Sequence, residues 1–411
     1  MRAMADTVPH PDAVSLTRPG WFPGRRAVVR SIMTSGALVL ITFAVFAWGV
    51  FSGRLERYDV TAPMAFVLVG LALGGFAGSH LEADSEAVTA LTEATLVWVL
   101  FSDASRVGLR ELRHDAGVFV RLLALGLPLT VAAGSFAAWW LLDLPDPWLA
   151  LLAGAALAPT DAALGSVVVT NPAVPSRIRR ILNVESGLND GIVTPIVMFA
   201  VFSSATHGVL PAVLQLAGGA VIGAALGAGG GRLLRTAQAR GWADQGFAGP
   251  AVVALALLAY GGSTVLHANG FVAAFVAGLA FGHVVPFVEQ TAALASLLVW
   301  TLFGAIAVPL LPSLLSPAMI LYALLSLTVI RMAPVAISLI GAQFDTRTVL
   351  FIGWFGPRGL ASIVFALLAI EELGPSASPV VAVIVLTVLL SVVAHGLSAR
   401  PLALQYPKSS V

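Results

Sequence analysis

Residues 181–205 read Ile-Leu-Asn-Val-Glu-Ser-Gly-Leu-Asn-Asp-Gly-Ile-Val-Thr-Pro-Ile-Val-Met-Phe-Ala-Val-Phe-Ser-Ser-Ala, and the fold turns on how they are read. Asn-Asp-Gly at 189–191 is a common turn signal. Taken as a turn, it leaves only 191–205 as an apolar stretch, too short to cross about 30 Å of hydrocarbon. Taken as a helix from near Ile181, the whole stretch crosses. Asp190 then lies nine residues in, about 13 Å deep at 1.5 Å per residue, close to the bilayer midplane. On such a helix Ser186 and Asp190 share a face, as do Glu185 and Asn189. A hydroxyl and a carboxylate on one face can both offer oxygen to a small hard cation. Burial penalises an ionised carboxylate unless a proton or a cation neutralises it. Such a group holds either one but not both, and that competition is sufficient chemistry for exchange.

Composition supports the membrane reading. Of 411 residues, 58% are hydrophobic and only 10% charged, with mean hydropathy +0.94. Soluble chains carry about 25% charged residues, so lipid must be the solvent for most of this one. A net charge of +1 argues against a nucleic-acid partner. Cysteine is absent, which excludes disulfides, thiol catalysis and Cys-ligated metals. The seven His form no HxxxH or HExxH pattern, so a zinc hydrolase has little support.

The chain is therefore read as an all-α polytopic membrane protein with about thirteen spans. They fall near 31–52, 62–80, 87–104, 117–142, 146–170, 181–205, 209–234, 246–266, 269–283, 291–312, 316–340, 348–372 and 378–398. Residues 1–30 read as a polar tail, not a signal peptide, and 399–411 as a short C-terminal tail with no room for a soluble regulatory domain. The membrane domain is 31–398. Arg106, Arg110 and Arg113 share one loop, Arg177, Arg179 and Arg180 a second, and Arg232, Arg235 and Arg240 a third; Arg347 lies further along the same side. The alternate loops carry Glu82, Asp84, Glu86, Asp143, Asp146, Glu371 and Glu372. Positive-inside places the Arg loops and the C-terminus in the cytoplasm. An odd count puts the N-terminus outside, against the pull of Arg18, Arg25, Arg26 and Arg30.

Charges inside spans are the informative ones, since each costs ~2.5–3.5 kcal/mol at mid-membrane on insertion scales. There are six: Asp103, Asp161, Glu185, Asp190, Arg331 and Arg358. A buried guanidinium cannot be neutralised, so Arg331 needs a partner, and Glu185 is the natural one. The pair reads as a structural tie between two helices. Asp103 reads equally as an interfacial anchor beside Arg106 and as a ligand on the ion pathway. Glu93 has no secure assignment. His80, His207, His267, His283 and His395 read as interfacial residues near span ends. Gly219, Gly223 and Gly227 are spaced for close helix packing.

Two spans are interrupted at their centres: the fifth at Pro159-Thr160-Asp161, the twelfth at Pro357-Arg358. Broken spans at matching places in two halves point to inverted repeats and a midplane site. Five and twelve differ by seven, which suits two six-span units with the seventh as connector. Half-helix ends carry partial charge, positive at N-termini and negative at C-termini. Asp161 suits the first and Arg358 the second.

Taken together these residues resemble a family. Glu-Ser-Gly-Leu-Asn-Asp (185–190) is similar to the Glu-Ser-x-x-Asn-Asp motif of the NhaP-like cation/proton antiporters of the sodium/proton exchanger type. Ala-Pro-Thr-Asp (158–161) resembles the family's unwound Thr-Asp segment. Arg331 resembles its arginine that pairs with the motif glutamate. Gly-Trp-Phe-Gly-Pro-Arg-Gly-Leu (353–360) resembles its crossing helix. The resemblance implies an NhaA-like fold of thirteen helices, with core helices near 87–205 and 291–372 and a scaffold that dimerises. It implies alternating access by movement of the core. It assigns the transported Na⁺ (or K⁺ or Li⁺) to Asp190, Ser186 and the Thr160 backbone, with no cofactor, in a bacterial or archaeal plasma membrane. Asn189 stands where electrogenic relatives have a second aspartate, which implies electroneutral one-for-one exchange with protons. Pro159, Ala162 and Pro357 depart from the family pattern and leave the choice of cation open. A cation channel without proton coupling is the alternative. An intramembrane hydrolase lacks a nucleophile–base pair.

Overall fold

Lipid offers no hydrogen bonds, so a spanning segment must satisfy its own backbone, and the long apolar stretches fold as helices. The computed structural model describes residues 23–77, 86–106, 115–161, 164–204, 209–312 and 316–405. The helices are α1 (Pro23–Leu55), α2 (Ala62–Ala77), α3 (Glu86–Ser105), α4 (Ala116–Leu142), α5 (Pro147–Ala156), α6 (Ser166–Val169), α7 (Ser176–Ser204) and α8 (Val209–Ala239). They continue with α9 (Gln245–Val265), α10 (Gly270–Phe281), α11 (Pro286–Leu310), α12 (Pro317–Leu327), α13 (Val329–Ser338), α14 (Thr346–Trp354), α15 (Leu360–Leu373) and α16 (Ser378–Ala403). With α5/α6, α12/α13 and α14/α15 each counted as one interrupted span, these make thirteen spans among the described residues. Arg18, His80, Glu82, Asp84, Arg110, Arg113, Ala162 and His207 lie outside the described residues.

Several boundaries differ from the sequence reading. Helix α1 begins at Pro23, inside the stretch read as a tail, and α16 runs on to Ala403. Helix α7 begins at Ser176, so Arg177, Arg179 and Arg180 occupy its first turns rather than a loop, and Asp190 is the middle residue of its 29. The eleventh span, read as continuous, breaks at Thr328 (φ −115°, ψ −94°). The Ser326 carbonyl just before that break accepts from Arg358 Nη2 at 3.1 Å. Helix α4 widens into a π turn over Arg121–Gly126. Pro128 follows it and has no N–H to return to the preceding turn. The boundary between the eighth and ninth spans falls at Leu266–Asn269. There His267 is left-handed and the Asn269 side chain caps α10 by accepting from Val272 N at 2.9 Å.

Several contacts tie the arginine-bearing ends together. Arg106 Nε meets Glu289 at 2.8 Å. Asp115 takes Arg177 Nε at 2.9 Å and Arg180 Nη2 at 2.6 Å. Arg177 stacks on Phe344. Arg347 donates to the Gln405 carbonyl, and Arg400 donates to the Arg57 carbonyl at 3.0 Å. Such a set of end contacts is what spans of alternating direction produce. It places the C-terminal ends of α1 and α16 on one face and the start of α1 on the other. At the opposite end Glu93 faces Tyr260 and Glu371 faces Thr89. Asp146 caps α5 and also accepts from Ser204 Oγ at 2.6 Å, tying α5 to the end of α7.

Candidate functional site

The site is built where two broken spans cross. Helix α5 ends at Ala156 and the chain runs extended through Pro159, Thr160 and Asp161. Helix α14 ends at Trp354, and residues 355–359 run non-helical to the start of α15. The two stretches pair directly: Asp161 N–H donates to the Pro357 carbonyl at 2.8 Å. Each span then lends its charge to the other. The fully buried Arg358 guanidinium donates through Nη1 to the Ala158 carbonyl at 2.7 Å and the Pro159 carbonyl at 3.3 Å, at the negative end of α5. The Asp161 carboxylate accepts from Leu360 N–H at 3.0 Å, at the positive end of α15. A Cβ at Gly359 would run into that carboxylate, so the approach requires glycine.

Helix α7 passes beside this crossing. Thr160 Oγ1 lies 2.9 Å from Ser186 Oγ, and Asn189 Nδ2 donates to Thr160 Oγ1 at 2.7 Å. Thr160, Ser186, Asn189 and Asp190 are all buried. Two of their oxygens, Asn189 Oδ1 and Asp190 Oδ1, are buried without a hydrogen-bond partner. An uncompensated buried acceptor costs about 1–3 kcal/mol, and a cation or a proton relieves it. Asp190 also interacts electrostatically with Asp103 and Asp161. Asp103 is half-buried and 3.9 Å from Arg106, and a Cβ at Gly187 would lie 3.8 Å from its Cβ, so α3 faces α7 within a turn of Asp190.

Glu185 and Arg331 are in contact at 2.6 Å, both almost wholly buried. The guanidinium also borders the crossing, since a Cβ at Gly356 would lie 2.6 Å from Arg331 Nε and 2.9 Å from Thr160 Cγ2. Glu185 thus has a fixed countercharge and Asp190 does not, although they lie five residues apart on one helix.

The sequence reading passed over several participants. The Phe275 ring of α10 packs against the backbone at Gly191, where a Cβ would collide with it. Asp115, near Arg177 and Arg180 but not adjacent in sequence, clamps the start of α7. Burial opposes its charge, but hydrogen bonds from Arg180 and Arg177 outweigh that and hold its carboxyl below the ordinary value. His395 is not interfacial. It is buried inside α16 with Nε2 2.9 Å from the Trp354 carbonyl, because the early end of α14 leaves a carbonyl there to be met. Its signal in the sequence was the spacing of Ser391, His395 and Ser398, which share one face of an otherwise apolar helix. His267 and His283 are exposed.

Among the described residues no three His, Asp or Glu converge as a metal cage. A divalent ion such as Ca²⁺ takes six to eight oxygen ligands. A single carboxylate with hydroxyl and amide oxygens suits a loosely held monovalent ion instead.

Comparison with known proteins gives the same architecture. A solved structure of the sodium proton antiporter MjNhaP1 from Methanocaldococcus jannaschii superposes with TM-score 0.77 over 92% of this chain and 99% of that one, at 22% identity. The K⁺/H⁺ antiporter NhaP of Alkalimonas amylolytica is 27% identical over 93% of this chain and 69% of its own length. A K⁺/H⁺ antiporter NhaP2 of Shewanella is 24% identical, and this chain spans only 62% of it. A Na⁺/H⁺ antiporter of Schizosaccharomyces pombe is 29% identical over 55% of this chain and 54% of its own length. The family model described as sodium/hydrogen exchanger, transmembrane, matches residues 39–405. The chain belongs to the sodium/hydrogen exchanger family.

Proposed function

We propose that this protein exchanges one monovalent cation for one proton across its membrane, with Asp190 as the group both compete for. The observation that carries the reading is the buried Asp190 carboxylate at the middle of α7, with one oxygen unpartnered beside the crossing. The cation takes that oxygen together with Ser186, Thr160 and the Asn189 amide oxygen. When the proton returns, the carboxyl is neutral and the cation leaves. The empty ionised carboxylate is the state that must not cross. Holding it at mid-membrane costs ~2.5–3.5 kcal/mol, which suppresses uncoupled cycling about a hundredfold.

One-for-one stoichiometry rests on the neighbours of Asp190. Asn189 is a neutral amide, Glu185 is countered by Arg331, and Asp161 faces a helix N-terminus. Of the carboxylates on α7 and at the crossing, Asp190 alone among the described residues has neither a countercharge nor a helix end, and it is the one that changes its charge per cycle. Asp103 stands on the approach from α3. The core spans, near 87–205 and 291–372, move against a scaffold that dimerises, and the C-terminal face lies in the cytoplasm. The relatives' names include both Na⁺ and K⁺, and the cation here is Na⁺, K⁺ or Li⁺.

Proteoliposomes with an imposed pH gradient test this. Addition of Na⁺, K⁺ or Li⁺ is expected to move protons, with no response to a clamped membrane potential. Cation current without proton movement would overturn the proposal in favour of a channel.

A further inference from the structure

The interruption of the twelfth span frees backbone groups at both its ends, and one helix meets both. Arg358 N–H donates to Ser391 Oγ at 2.7 Å, and His395 Nε2 lies 2.9 Å from the Trp354 carbonyl. His395 Nδ1 lies 3.0 Å from the Ser391 carbonyl and 3.2 Å from the Ser391 hydroxyl; the tautomer that donates from Nε2 to Trp354 accepts at Nδ1 from that hydroxyl. The Trp354 ring stacks on His395 at 5.1 Å, and its Nε1 donates to Ser398 Oγ at 2.9 Å. Ser391 and His395 are buried on α16, a helix whose other buried side chains are almost all aliphatic. Buried polar side chains are costly in such a place unless hydrogen-bonded. Here their bonds go to the two ends of residues 355–359.

The consequence reaches further than α16. Arg358 carries its guanidinium to the Ala158 and Pro159 carbonyls, and the next residue is Thr160. Thr160 in turn bonds Ser186 and Asn189. A run of hydrogen bonds and covalent links, through the Arg358 side chain and the Pro159–Thr160 peptide, therefore joins α16 to the cluster beside Asp190.

We propose that Ser391 and His395 are positioning residues for the cation. They hold the segment between Trp354 and Arg358, and through the Arg358 guanidinium they hold Thr160 in place. The proposal rests on the reading that Thr160 belongs to the cation site.

The test compares S391A, H395A, H395Q and T160V with wild type, each as the full chain in proteoliposomes. Exchange is measured against cation concentration at a fixed pH gradient and normalised to folded protein. S391A and H395A are each expected to raise the half-saturating cation concentration about three- to tenfold, the loss of one hydrogen bond, with maximal rate within about twofold. H395Q, whose amide N–H can reach the Trp354 carbonyl, is expected to restore much of the loss. A purely structural role would instead lower folded yield and maximal rate at unchanged half-saturation, and that result overturns the proposal. S391A removes a single hydroxyl and carries the test alone if H395A does not fold. T160V separates the two layers. If it raises half-saturation while S391A and H395A do not, positioning by α16 fails. If T160V itself has no effect, the assignment of Thr160 to the site fails and takes this proposal with it.

Discussion

The contact of α8 with α10 and the crossing of the fifth and twelfth spans are both places where backbones come very close, and they achieve it by opposite means. At α8 the helices are continuous, and along the contact their backbone groups are satisfied within each helix, apart from the Asn269 N–H at the start of α10, which donates to the Gln215 carbonyl of α8 at 2.9 Å. A Cβ at Gly219, Gly223 or Gly227 would run into the Asn269, Ala273 or Ala277 carbonyl, so approach there is a matter of removing side chains. At the crossing the helices stop, and the freed groups are met by Arg358, Asp161, Ser391 and His395. Van der Waals packing between unbroken helices resists deformation as a unit. A hydrogen-bonded crossing leaves polar groups exposed to a cavity or to each other, which is where irregular backbone is tolerated in lipid. The first region suits a scaffold and the second a site.

The variants that would break this contrast differ in size. Asp190→Asn is expected to abolish exchange while the protein melts like wild type; retained cation-dependent proton movement in proteoliposomes would sink the central assignment. Arg331→Ala leaves Glu185 buried and unpaired, and is expected to lower stability by about 3–5 kcal/mol in detergent unfolding. If it unfolds like wild type, the structural reading of that pair is lost. Gly223→Val overpacks the α8–α10 contact and is expected to cost about 1–3 kcal/mol. Its half-saturating cation concentration should stay unchanged per folded molecule. A shift in that constant would mean the scaffold and the site are not separable.

The smallest effect belongs to Asp115. Its carboxyl is held below the ordinary value in the folded state, so its stabilising contribution is present above the ordinary carboxylate range, about pH 4. That contribution is lost as pH falls through the lowered value. Acidification should therefore lower the melting temperature of wild type more than that of Asp115→Asn. Equal acid sensitivity of the two would show that the clamp at the start of α7 contributes nothing.

Much of this molecule was legible in advance, and for a definite reason. Lipid leaves few solutions for a backbone, so apolar length alone located the spans, and low charge content made each intramembrane charge conspicuous. Boundaries were less legible where polar residues continue a helix. The arginines at 177, 179 and 180 looked like a loop, yet α7 already includes them. The break at Thr328 had no local signal, because the Ser326 carbonyl beside it is met by an arginine 32 residues away.

By itself the sequence determined that the chain lives in lipid, that its helices number about thirteen, and that Asp190 stands in the middle of a span. Those follow from hydrophobic length and from the cost of placing charge in hydrocarbon, both properties of the chain read locally. Tertiary structure decided the partners. Arg358 serves the end of α5, Asp161 the start of α15, Arg331 takes Glu185, and Asp190 keeps an oxygen without one. A hydrogen bond across some 200 residues depends on where two helices are brought together, and no spacing within either one encodes it.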